Sequence, residues 1–209
     1  YRITGLKNFN YFSVLQIYFV FIGATIPIIS SLIISKLVDM EIDAGNFHNL
    51  LTTKSRGKSY MGKLIMISIC LLIFIILSAI FFGLLFREKN IRIFIICVLL
   101  IFIGSLFIYM LHLLVSINIS GGASIGLGFV ETLISFLSLT SLGDKIWYYL
   151  PCTWSARLSA TYILGMDIDN LFLYKEFERW TFVGIPFTII IFIIFFIWFS
   201  IWDVNTFDD

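Results

Sequence analysis

The amino-acid sequence predicts an all-α integral membrane protein, on three observations. Of its 209 residues 60% are hydrophobic and only 13% are charged, against roughly 25% charged in soluble domains. Too little polar surface remains to cover a water-facing globule. Uncharged stretches of about 18 residues or more recur along the chain, which is the length a helix needs to cross the hydrocarbon core. Aromatic residues gather at the ends of these stretches, where amphipathic rings favour the headgroup level. The net charge of +1 gives no reason to expect a nucleic acid partner.

Five spans follow in order. The first covers 8–35, between Lys7 and Lys36, and the second 64–86, between Lys63 and Arg87. A third begins at 93, and no Asp, Glu, Lys or Arg appears from there until Glu131. That run is too long for one helix. The turn-forming string NISGG at 118–122 divides it into spans of about 93–117 and 123–142. The last covers 180–202, between Arg179 and Asp203. Short connections make the second, third and fourth spans antiparallel neighbours. Two longer polar segments remain, 36–63 and 143–179. Segment 36–63 carries Lys36, Lys54, Arg56, Lys58 and Lys63, so the charge bias places it in the cytoplasm. Alternation then puts 87–92 and 143–179 outside, 118–122 and the C-terminus inside. Arg87, Lys89 and Arg92 run against the bias.

Cys70 and Cys97 lie in apolar runs and read as small buried hydrophobes, which leaves Cys152 as the candidate exposed thiol. An odd cysteine count without CxxC spacing speaks against a disulfide framework or zinc site. Tyr1 is not an initiator Met, and the first apolar run is too long for a signal-peptide core.

Segment 36–63 is the most informative. Asp39, Glu41 and Asp43 precede Ala44-Gly45, and a basic stretch follows. Phe47, Leu50 and Leu51 fall at i, i+3 and i+4 and share one face of a short helix. Such a helix lies on the membrane surface or inserts its apolar face into a partner's groove. Two polar residues stand inside spans, His112 and Glu131. Groups of this kind face a bundle interior, and at about 1.5 Å per residue both lie roughly 10 Å from the inner end of adjacent antiparallel helices. They are expected to contact each other or share a polar patch. Gly122-x-x-x-Gly126, with Gly128, offers a close-packing face. Enzyme signatures are absent, as is the G-x-x-x-x-G-K-[ST] phosphate loop.

Two motifs carry a resemblance. Segment 41–63, with Glu41, Ala44, Gly45, Leu50 and Leu51 in an E-x-x-A-G-x-x-x-x-L-L pattern, resembles the cytoplasmic loop of ABC-2-type permeases. Segment 139–159, with LGD-x-x-W and P-C-x-W-x-x-R elements, is similar to lantibiotic-immunity ABC transporter permeases of the MutG type. The resemblance implies a type V exporter-like bundle spanning 1–209 as one transmembrane domain. Six spans are expected where five are read, so the family's first helix would precede Tyr1. It makes 36–63 a coupling loop, in which Glu41 meets a basic partner side chain, Gly45 permits a helix break or close approach, and Phe47, Leu50 and Leu51 anchor in a groove. Two ATP-binding subunits would hold ATP and Mg, none of it on this chain, and a second, non-identical permease would complete the transporter. Segment 143–179 would be an extracellular cap with partly re-entrant helices. Within it Trp147 and Trp154 lie at the interface, Pro151 breaks two short helices, and Arg157 snorkels or reaches an anionic group. The implied setting is the bacterial plasma membrane, and the implied task is ATP-driven clearance of a lantibiotic or similar peptide. Export of a drug, lipid or host-made peptide, or peptide sensing without transport, are the alternatives.

Overall fold

A computed structural model describes residues 11–45, 56–86, 90–166 and 170–201. Every regular element among them is helical: α1 (Tyr11–Asp43), α2 (Arg56–Phe86), α3 (Ile91–Asn118), α4 (Gly121–Leu137), two 3-10 turns (Trp147–Tyr149 and Pro151–Thr153), α5 (Trp154–Gly165) and α6 (Asn170–Ile201). Helices α1, α2, α3 and α6 are long and apolar enough to cross a membrane. Among the described residues the protein is therefore all-helical, with four candidate spans.

The predicted fourth span, 123–142, is corrected. Helix α4 has 17 residues and ends at Leu137, so at 1.5 Å per residue it reaches roughly 25 Å, short of a hydrocarbon core of about 30 Å. Ser120 caps its start, accepting a hydrogen bond from the Ala123 N–H at 3.0 Å. The other spans are longer than their apolar runs. Helix α1 continues through KLVDMEID to Asp43, because nothing in that string breaks a helix, and it ends against Gly45 at φ 123°. Helix α2 begins at Arg56, so much of the predicted loop 36–63 is helix.

Helices α3, α4 and α5 gather around α1 at the centre, and α2 and α6 flank them. The reason lies in side-chain size. On α2 the buried positions Ile67, Leu71, Ile75, Ala79 and Phe82 form one narrow stripe, and the opposite side exposes Ile69, Ile73, Leu77 and Leu84. This is a helix with one face on protein and the rest suited to lipid. Helices α1, α4 and α5 instead meet through Gly and Ser, which let backbones approach in lipid, where packing rather than water exclusion drives association. Tyr18 and Phe82 stack at 4.3 Å between α1 and α2, and Tyr18 donates to the Ser78 carbonyl at 2.6 Å.

Helix α5 starts at mid-depth. A Cβ on Gly23 of α1 would fall 2.7 Å from the backbone of Ser155 and Ala156, and one on Gly104 of α3 would fall 2.8 Å from Ser155 N. Gly104 is at the middle of α3, so the first turn of α5 is clamped halfway along the bundle. From there α5 runs toward the start of α3, where Tyr162 has Cys97 and Arg92 as electrostatic neighbours.

Candidate functional site

Polar side chains in an apolar bundle mark where function is built, and here they fall in four places. The first surrounds Pro27. Proline lacks an N–H, so the Gly23 carbonyl four residues earlier loses its helical donor. Ser155 Oγ of α5 donates to that carbonyl at 2.7 Å, and Thr132 Oγ1 of α4 accepts from the Ile28 N–H at 3.2 Å. Helices α4 and α5 are thereby both hydrogen-bonded to the proline site.

A second group lines α4. Its buried face is Gly121, Ser124, Gly128, Glu131, Thr132 and Ser135, set against Ser31 and Ser35 of α1. The predicted Gly122-x-x-x-Gly126 face is corrected: Gly126 has nothing within 4 Å of a Cβ, and the tight positions are Gly121 and Gly128. Glycines at i and i+4 were visible in the sequence, but the helix turns their side outward.

The third is His112 with Glu131. The imidazole is fully buried, with Nδ1 3.0 Å from Ser124 Oγ and Nε2 3.0 Å from Glu131 Oε2. The predicted contact is present. Neither Nε2 nor Oε2 completes a hydrogen bond, so the carboxylate sits at ion-pair distance but off the ring's N–H axis. The Oγ atoms of Ser116 and Ser135, on the same two helices, are also buried without partners.

The fourth is the connection from α4 to α5. Trp147, Trp154 and Trp180 are buried within the protein. Two of the three indole N–H groups find partners inside, while Trp180 Nε1 is buried without one. Trp147 Nε1 donates to Glu176 Oε2 at 3.0 Å, and Trp154 Nε1 to the Tyr148 carbonyl at 3.1 Å. Trp180 packs edge-on against Trp154 at 6.0 Å. Arg179 completes the first of these, donating to Glu176 Oε1 at 2.7 Å. Pro151 opens the second 3-10 turn behind an extended Leu150. Arg157 is turned inward and across: it donates to the carbonyls of Ser138 and Thr140 and to Asp144 Oδ1 at 2.8 Å. It holds the end of α4, where a cation also suits the helix dipole. Cys152, expected to be exposed, is buried, and Cys70 is the exposed one.

At the predicted coupling segment, Glu41 Oε1 accepts from Lys63 Nζ, which ties the end of α1 to α2. Its basic partner is thus within the chain. Gly45 provides the turn that ends α1. Phe47, Leu50 and Leu51 lie outside the described residues.

Among the described residues no group of three or more His, Cys, Asp or Glu could hold a metal. A groove of about 570 Å³ opens between α2 and α3, lined by Leu72, Ile76, Ile80, Phe94, Val98 and Leu99. No family model, curated protein or solved structure matches the chain.

Proposed function

We propose that this chain is the membrane-spanning subunit of an ATP-driven transporter of the ABC-2 type, which clears a lantibiotic or similar amphipathic peptide from the bacterial plasma membrane. The observation that carries the reading is the ion pair between Glu41 and Lys63. It joins two spanning helices at the base of the connection whose sequence resembles a coupling loop. A push on residues 46–55 by an ATP-binding subunit therefore moves α1 and α2 together. The motion then has a path inward, since α1 also packs on α3, α4 and α5. The apolar groove between α2 and α3 suits the apolar part of an amphipathic peptide arriving from the lipid. ATP and Mg belong to the partner subunit in this reading, and a second permease subunit completes the pore.

The test is survival of a sensitive bacterium that expresses the full-length protein with its candidate ATP-binding and second permease subunits, against a panel of lantibiotics. Protection from one peptide is expected. Glu41→Lys alone abolishes it while the complex still reaches the membrane, and Glu41→Lys with Lys63→Glu restores at least a third of it. Protection unaffected by Glu41→Lys rejects the coupling role of the pair. No protection from any peptide rejects the substrate class and favours another cargo. Failure to co-purify an ATP-binding subunit favours a peptide sensor instead.

A further inference from the structure

The geometry points to a proton-binding site: we propose that His112 and Glu131 together hold one proton, and that its presence fastens α3 to α4. The pair is buried, with His112 fully enclosed and the Glu131 side chain 10% exposed. A neutral imidazole beside an ionised carboxylate leaves a net negative charge in a low-dielectric bundle, which is strongly unfavourable. One proton makes the pair neutral overall, as imidazolium with carboxylate or as imidazole with carboxylic acid. The proton comes from water and returns to it, and the two groups titrate as a unit.

Ser124 directs where that proton sits. Its Oγ lies 3.0 Å from Nδ1 and 3.5 Å from the His112 carbonyl. A hydroxyl that donates to the carbonyl accepts from Nδ1–H. Nε2 is then the unprotonated ring nitrogen, 3.0 Å from Glu131 Oε2. A lone pair and an ionised carboxylate that close, buried together, are unfavourable unless the pair holds a proton. The missing hydrogen bond at both atoms is the second observation for the site. Among the described residues no other cation neutralises it. The 3-10 turn brings Cys152, which feels the Glu131 charge. Helix α1 brings Ser31 and Ser35, with Asp39 at the foot of α4 beside Gly121. Arg157 of α5 is engaged with Ser138, Thr140 and Asp144. Arg92 on α3 is at the far end of its helix, and α2 and α6 carry their charged residues near their ends.

Loss of the proton leaves an uncompensated carboxylate between α3 and α4, so the two helices separate or admit water as pH rises. The experiment uses the full chain in lipid nanodiscs with 15N-histidine and 13C-glutamate labels. His48→Asn removes the signal of the other histidine. Imidazole 15N shifts and the carboxyl infrared band are followed from about pH 5 to 10, a range that brackets ordinary imidazole titration. The pair is expected to hold one proton, on either group, at the acid end of this range and to release it within the range. Glu131→Gln is expected to change the pH dependence of the His112 signal. If that variant does not fold, Ser124→Ala serves, and is expected to change which ring nitrogen carries the proton of neutral His112. An unprotonated pair at the acid end, a proton retained unchanged to about pH 10, or a variant with wild-type titration and tautomer overturns the proposal.

Discussion

Ser155→Ala takes away the one donor that replaces the N–H missing at Pro27, and leaves the Gly23 carbonyl buried without a partner. A loss of about 1–2 kcal/mol is expected, between the value for an unsatisfied buried acceptor and that for polar contacts in lipid. Pro27→Ala returns an N–H at the right position, so Ser155→Ala made in that background costs less. A double-mutant cycle by reversible unfolding in micelles checks this, with a coupling of about 1 kcal/mol expected and additivity refuting it. The proline and its lost bond are legible in the sequence. The rescuing serine is not, because it is 132 residues away and only packing brings it close. The same holds for Lys63, which sits 22 residues after Glu41 in a basic stretch that offers several equivalent partners.

At the scale of elements, α5 depends on two glycines that belong to other helices. Gly104→Ala places a methyl 2.8 Å from the Ser155 backbone nitrogen, an overpacked contact that costs roughly 1–3 kcal/mol. Gly126→Ala, in open space, costs nothing and gains up to about 1 kcal/mol of helix propensity. Thermal unfolding of the two variants should therefore move in opposite directions, and equal shifts would refute the clamp. Of the three glycines the sequence offered, Gly128 packs closely and Gly122 and Gly126 do not, because GxxxG spacing identifies a possible contact face and not the side on which a neighbour lies. Span 64–86 was readable from its charged flanks, and span 93–117 from Arg92 before it and the turn-forming NISGG after it. The end of α4 was not, since Leu137 to Leu142 remains apolar enough to continue and it is Arg157, from the next helix, that draws its last carbonyls aside. His112 and Glu131 were legible for a different reason: a polar residue in lipid has few places to go.

For the molecule as a whole, the arrangement fixes which thiol meets lipid. Cys70 faces outward from α2, while Cys97 and Cys152 are enclosed. In vesicles a lipid-soluble maleimide should label Cys70 alone, a charged maleimide should label none, and all three cysteines should react after denaturation. Charged-reagent labelling of Cys152 would show that the enclosing α4–α5 connection is open to water. Composition and apolar run length made the membrane class legible, because they depend on sums over the chain. Burial of Trp147 and Trp154 did not follow from those sums. Aromatic residues near a span end suit both the interface and an inward anchor, and the choice depends on Glu176 and on the turn of the backbone at Leu150.

The bond from Ser155 to Gly23 also sets a clock. During synthesis the Gly23 carbonyl enters the membrane long before its donor exists. With 132 residues between them and about 5–20 residues added per second, the wait is roughly 7 to 26 seconds. Throughout that interval α1 carries an unfilled acceptor, and the cleft between α1 and α3 has no wedge. The early helices are thus held as a loose precursor, and the bundle locks only when one of its shortest helices arrives.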